Sequence, residues 1–128
     1  MEIIHIKTDN APQPAGHYSQ GIVSNGLVFV SGQLAINPVN GEKVIASIEA
    51  QTEQALKNVA AIVTAAGSDL SRILKMTIYV ADIELWGAIN STYAKFMGEH
   101  RPARAIIPTG NLRDGFLIEI DAVASVAD

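Results

Sequence analysis

Two ionisable side chains in the last quarter of the chain stand where the pattern around them is apolar. Glu119 lies in Phe116-Leu117-Ile118-Glu119-Ile120, and the two-residue period of a strand sends it away from Ile118 and Ile120, onto the opposite sheet face. If that face becomes covered, the carboxyl loses hydration, its pKa rises and it can carry a proton near neutral pH. On an uncovered edge strand the same residue is a solvated surface glutamate. Arg104 follows Pro102-Ala103 and precedes Ala105-Ile106-Ile107, so its guanidinium emerges from mainly apolar surroundings. Its planar fork can bind a carboxylate through two hydrogen bonds and stays charged when partly buried. An ion pair with an acid of a neighbouring subunit is the other use of such a residue, and neither side chain decides the matter alone.

Tyr18 and Ser31 fall at the start of one expected hairpin strand and near the end of the next, where they offer an aromatic wall and a hydroxyl. Both types also occur in ordinary sheets. Asn90, in Ile89-Asn90-Ser91-Thr92-Tyr93, reads equally as a polar helix residue or a backbone partner. His5, His17 and His100 are scattered, without the spacing of metal ligands, so no metal is expected. The sequence contains no phosphate-binding loop, dinucleotide glycine fingerprint or nucleophile elbow.

The elements that must position these residues follow from periodicity. Ile4 and Ile6 alternate with polar neighbours as a short strand, and a loop with proline and glycine runs from Asn10 to Gly16. Residues Tyr18 to Val23 and Leu27 to Leu34 flank Ser24-Asn25-Gly26, the signature of a tight hairpin. From Ala46 to Ala66, residues Ile48, Ala55, Leu56, Val59, Ile62, Val63 and Ala66 recur at three- and four-residue steps, which predicts an amphipathic helix closed by Gly67. Ile73 to Ala81 is β-rich. After Asp82 as N-cap, residues Leu85, Trp86, Ile89, Tyr93, Phe96 and Met97 mark a second helix ending near Gly98. Ala103 to Ile107 and Phe116 to Val126 read as two more strands around a Pro108–Gly115 loop. The order βββαβαββ, without repeat or linker, suggests an α+β fold with both helices on one face of a mixed sheet.

The other sheet face then lacks a cover. If Met76, Ile78 and Val80 face the helices, Ile73, Thr77, Tyr79 and Ala81 form an outward side far from charged, and assembly of identical chains through it is expected. The 128 residues, 48% hydrophobic, suffice for one domain over 1–128 with its own core. A formal charge of −4, from 9 Lys and Arg against 13 Asp and Glu, gives no field for sequence-independent nucleic-acid binding. The lack of cysteine fits a reducing, cytoplasmic setting. The amino-terminal stretch is unlike a signal peptide, and no segment has the roughly 20 apolar residues of a membrane span.

Several separate segments together resemble the RidA (YjgF) family. Asn10-Ala11-Pro12 with Gly16-His17-Tyr18-Ser19-Gln20 is similar to its opening, and Val30-Ser31-Gly32-Gln33 to its next strand. Asn90-Ser91-Thr92-Tyr93 is similar to its second helix, and Pro102-Ala103-Arg104 with Glu119-Ile120 to its closing signature. The resemblance spans nearly the whole chain. It implies a chorismate-mutase-like fold, a homotrimer with three pockets at the subunit clefts, and hydrolysis of 2-imino acids or their enamine tautomers to 2-keto acids and ammonia without a cofactor.

By the same resemblance Arg104 would hold the substrate carboxylate and Glu119 would orient and activate the attacking water. Tyr18 would wall the pocket, and Ser31, Asn90 and the backbone at Ile106 would contact the substrate. The chain departs from the family pattern at Ile106, where cysteine is frequent, at His17, where proline is frequent, and along Ile107-Pro108-Thr109-Gly110. Two other readings follow from the same residues. One is a trimeric module that binds keto or imino acids without turnover. The other is a ribonuclease or translation inhibitor, against which the acidic balance and 5% aromatic content argue.

Overall fold

Asn25 and Gly26 adopt φ values of 55° and 79°, the left-handed pair that a two-residue hairpin requires. They join β2 (Gly21–Ser24) to β3 (Leu27–Gln33). In the computed structural model, which describes residues 2–126, β1 (Ile4–Ile6) adds to the outer side of this hairpin. On the other side lie β6 (Ile118–Ser125), β4 (Ile73–Val80) and β5 (Ala103–Pro108). The sheet order is β1-β2-β3-β6-β4-β5, and only the β4–β5 pair is parallel. The described residues thus form the expected α+β arrangement in the expected order. Met1, Ala127 and Asp128, the ends of the expected 1–128 domain, lie outside them.

Two helices cover one face. α1 spans Ile48–Ala65 and starts at Ser47, whose hydroxyl accepts the Ala50 N–H at 3.0 Å and so satisfies an otherwise unpaired donor of the first turn. It ends near the expected Gly67, with the Ser68 N–H donating to the Val63 carbonyl at 3.1 Å. α2 spans Trp86–Met97. Asp82 caps a single 3-10 turn, Ile83–Leu85, immediately before α2, so the second helix begins four residues after the expected cap. Ala55, Leu56, Val59, Ile62 and Val63 of α1 and Ile89 of α2 are fully buried against Met76, Ile78, Val80, Ile118 and Ile120. No helix among the described residues is long and apolar enough to cross a membrane.

Polar residues of α1 fix the loops beyond the sheet end. The Asn58 amide donates to the carbonyls of Leu34 and Ile36, at 3.0 and 2.9 Å, and Gln51 accepts the Leu117 N–H at 3.0 Å. These bonds hold a second small core of Leu34, Ala35 and Phe116.

Two expectations need correction. Ile73 is buried in the main core rather than outward, because the β4–β6 register shifts between Ile73 and Lys75 and a bulge of this kind reverses the alternation. The open face is also more polar than expected. Beside Phe29, Thr77, Tyr79 and Ile107, the register places Asp121 and Glu119 opposite Thr77 and Tyr79, with Lys75 opposite Val123.

Tyr18 is not in a strand: β2 starts three residues later, and the segment before it is an ordered loop. Gln20, 1% exposed, holds that loop. Its amide donates to the carbonyls of Thr8, Ala11 and Pro12 at 3.0, 3.3 and 2.9 Å and accepts the Thr8 N–H at 2.7 Å. Replacement by leucine leaves these backbone groups without partners, so urea unfolding of Gln20→Leu should show a loss of about 1–3 kcal/mol. A midpoint and slope equal to wild type would show that the loop is held by other contacts.

Candidate functional site

Strand alternation divides the sequence-derived candidates between two clefts. Glu119 pairs with Tyr79 across β6 and β4, on the face away from the helices, whereas Arg104 pairs with Met76 across β5 and β4, on the helix face. The register that places Ile78 in the core keeps Glu119 and Arg104 of one chain apart.

The Glu119 cleft has a volume of about 470 Å³ and is walled by Tyr18, Ser31, Gly32, Gln33 and Arg113. Gly32 makes room for the acid: a methyl group built on it would overlap the carboxylate, whose carbon would be 2.9 Å away. Burial pushes the Glu119 carboxyl above its ordinary value of 4.5, nearby Asp121 pushes it further, and the Arg113 cation partly offsets both. Tyr79 donates to Asp121 at 3.0 Å. Burial, then this bond and the neighbouring Asp121 and Glu119 charges, raise the Tyr79 phenol above 10.0.

Ser31 donates its hydroxyl proton to the Ser19 carbonyl at 2.5 Å, and its N–H bonds to the Gln20 carbonyl at 3.0 Å. Its oxygen keeps lone pairs for an incoming donor. Tyr18 is 48% exposed, and its hydroxyl accepts the Ala15 N–H at 3.3 Å, which ties the exposed ring to the loop as a wall of the cleft.

Arg104 lines a different cleft, of about 530 Å³, with Asn90, Tyr93, His100, Arg101 and Pro102. Its guanidinium donates to Asn90 Oδ1 at 2.9 Å and stacks over the rings of Tyr93 and Trp86, with centroids 4.8 and 5.8 Å away. The aromatic faces and the amide orient the fork, and among the described residues no carboxylate pairs with it. The Tyr93 hydroxyl is buried without a hydrogen-bond partner. Burial raises its pKa, opposed by the Arg104 charge. His100 donates from Nε2 to the Ile73 carbonyl at 2.7 Å at the cleft edge.

Ile106 lies on the helix-facing side and packs against the main core, so its side chain lines neither cleft. Its strand is an edge strand, with backbone groups on one side free of sheet partners. Asn90, read from sequence as an ordinary helix polar or a substrate contact, holds Arg104.

The sequence reading gave no site role to Gly32, Trp86, Tyr93 or Arg113: the two aromatics stood in the apolar stripe of the second helix, and Gly32 and Tyr93 in segments that carry the resemblance. Gly32 carried a usable signal, a glycine inside a strand. Arg113 carried none, because only the turn before β6 brings it to the Glu119 cleft. Among the described residues no cluster of three His, Asp or Glu side chains could hold a metal ion.

Known proteins resemble this chain in sequence and in fold. Residues 8–126 match the family described as Endoribonuclease L-PSP. A RutC family protein of Pyrococcus horikoshii is 42% identical over 119 residues, covering 93% of this chain and 94% of that protein. A protein of Escherichia coli named 2-iminobutanoate/2-iminopropanoate deaminase is 41% identical over 122 residues, covering 93% of this chain and 94% of its own length. The crystal structure of Escherichia coli TdcF with bound serine superposes with a TM-score of 0.92 at 35% identity, covering 97% of this chain and 99% of that one. With a match over nearly all of the sequence and the same fold in a solved relative, the chain belongs to the Endoribonuclease L-PSP family, that of the RidA and YjgF proteins.

Proposed function

We propose that the protein is a cofactor-independent deaminase that hydrolyses 2-imino acids, or the enamines that tautomerise to them, to 2-keto acids and ammonia. The observation that carries this reading is a complementary pair of half-sites. One is a desolvated carboxyl in a walled cleft, and the other is an oriented arginine fork with no acid of its own. The name of the Escherichia coli relative supports the same chemistry.

Arg104 clamps the substrate carboxylate, and Glu119 takes a proton from the attacking water as its oxygen bonds to the imine carbon. Glu119 passes that proton to nitrogen. The hydroxyl of the resulting adduct then returns a proton to Glu119 as C=O forms, the C–N bond breaks, and ammonia leaves with the 2-keto acid. An iminium carbon is already electrophilic, so positioning and one proton carrier suffice. Ser31 accepts from the substrate nitrogen, Tyr18 walls the pocket, and an unpaired backbone group of the β5 edge at Ile106 adds a contact. Asn90 acts through Arg104.

Because Glu119 and Arg104 occupy opposite faces, the complete site forms between chains. In this reading one 1–128 domain per subunit assembles as a homotrimer through Phe29, Tyr79, Ile107 and Val123, with Arg104 of each subunit facing Glu119 of the next. A small substrate fits the charge balance better than RNA, since a net charge of −4 attracts no polyphosphate backbone. The cytoplasm is the proposed location.

Coupled to a threonine dehydratase, the wild-type protein should accelerate release of 2-ketobutyrate and ammonia. Arg104→Ala removes a charged partner worth about 2–5 kcal/mol, so its kcat/KM should fall at least about thirtyfold. Activity near wild type in that variant would refute the assignment. Keto-acid binding that survives Glu119→Gln, with no acceleration by the wild type, would instead identify a binding module.

The reaction requires ionised Glu119, so kcat/KM should rise with pH along a limb centred above 4.5, and Glu119→Gln should lack that limb. Folding should report the same group with the opposite sign. A carboxyl whose pKa is raised on folding stabilises the native state below its unfolded pKa and loses that contribution as pH rises through the folded value. Relative to Glu119→Gln, wild type should therefore lose stability between pH 4.5 and neutrality, and parallel unfolding curves across this range would contradict the desolvation.

A further inference from the structure

Arg113 shares the Glu119 cleft but has no part in the reaction proposed above. Its backbone is fixed. The Arg113–Gly115 turn reverses through Asp114 at φ 58°, and Lys43 donates to the Asp114 carbonyl at 3.0 Å. Leu112 and Phe116, on either side, pack into the small core of Leu34 and Ala35. The side chain mounted on this turn lines the cleft and is 52% exposed to solvent.

The guanidinium itself is largely unspent. Its one ion pair among the described residues is a loose contact from Nε to Asp114 Oδ2 at 3.7 Å, which leaves the two terminal amino groups without a carboxylate. Arg113 lies near enough to Glu119 to stabilise its charged form, yet the two form no ion pair. They face the same space with room between them, in a cleft of about 470 Å³. Pockets of that size hold ligands well beyond the three- or four-carbon skeleton of the simplest imino acids.

An alkyl side chain would leave the fork facing only water and the Glu119 charge. A second carboxylate would engage it through paired hydrogen bonds. We propose that Arg113 is a specificity-determining residue and that the preferred substrate is an acidic imino acid, its α-carboxylate held by Arg104 of the adjoining subunit and its side-chain carboxylate by Arg113. The inference rests on the site proposed above and adds the substrate class. The reaction at the imine carbon is unchanged, because the second carboxylate takes no part in bond making.

The test uses the stable keto acids as probes, so that it reads Arg113 independently of turnover. Calorimetric titration of the wild type should show tighter binding of 2-oxoglutarate than of 2-oxobutanoate. The ratio of the two affinities should fall at least about tenfold in Arg113→Gln and be partly restored in Arg113→Lys, as expected for loss of one charge-assisted pair. Using a ratio within each variant cancels any effect of Arg113 on Glu119 and any difference in the folded fraction. Equal affinities in the wild type, tighter binding of 2-oxobutanoate, or a ratio unmoved by Arg113→Gln would each overturn the proposal. In parallel, imines made by oxidase action on glutamate and alanine separate the two readings. Failure to hydrolyse either, with the binding ratio still dependent on Arg113, defeats deamination alone. Hydrolysis with an Arg113-independent ratio defeats only the acidic-substrate inference.

Discussion

Hydrogen-bond register between β4 and its two neighbours governs how the chemistry is distributed. Antiparallel pairing puts Glu119 beside Tyr79, and parallel pairing puts Arg104 beside Met76. Since adjacent positions on a strand face opposite sides of the sheet, the same alignment that buries Met76, Ile78 and Ile120 beneath the helices turns Glu119 outward and Arg104 inward. A slip of one residue would move the acid into the core and expose the apolar set, at a cost the fold could not absorb. The constraint that closes the core therefore also keeps Glu119 and Arg104 of one chain apart, and the proposed site joins them by assembly.

Each half is prepared by a different physical means. Around Glu119 the device is space: the missing side chain at Gly32 lets the carboxyl lie close against β3, where reduced hydration favours the proton-bearing form. Around Arg104 it is orientation, since the Tyr93 ring and the Asn90 amide fix a planar cation without neutralising it. The loop with Tyr18 depends on a third means, the buried Gln20 amide, whose bonds to three carbonyls substitute for strand pairing along a stretch containing two prolines. Each of these supports decides where a group of the proposed site stands.

The periodicities that bury apolar residues were legible in the sequence. The helix stripe from Leu56 to Val63, the Asn25-Gly26 turn and the outward position of Glu119 follow from local pattern alone. Local pattern failed where geometry is non-periodic. The shift after Ile73 returned that residue to the core, and the Pro12–Gln20 segment is held by side-chain bonds that no alternation announces. The placement of Arg104 and Glu119 on opposite faces required the strand order and the parallel sense of β5, both non-local. Arg113 stayed hidden for the same reason, because it reaches the cleft through a 3-10 turn with a left-handed residue at Asp114. Family resemblance supplied the roles expected of Arg104 and Glu119, but only the fold shows them on opposite faces of one chain.

The most direct test of that division is complementation between two inactive variants. Arg104→Ala and Glu119→Gln subunits, each without activity alone, are co-expressed with different affinity tags, and mixed trimers are isolated and assayed for imine hydrolysis. A site built from Glu119 of one subunit and Arg104 of the next is intact wherever an Arg104→Ala chain supplies the acid and a Glu119→Gln chain supplies the arginine. Every mixed trimer, whichever variant is in the majority, holds one such site in three, so activity should return to about a third of wild type. Mixed trimers as inactive as their parents would show that both residues act within one subunit, and would contradict the account.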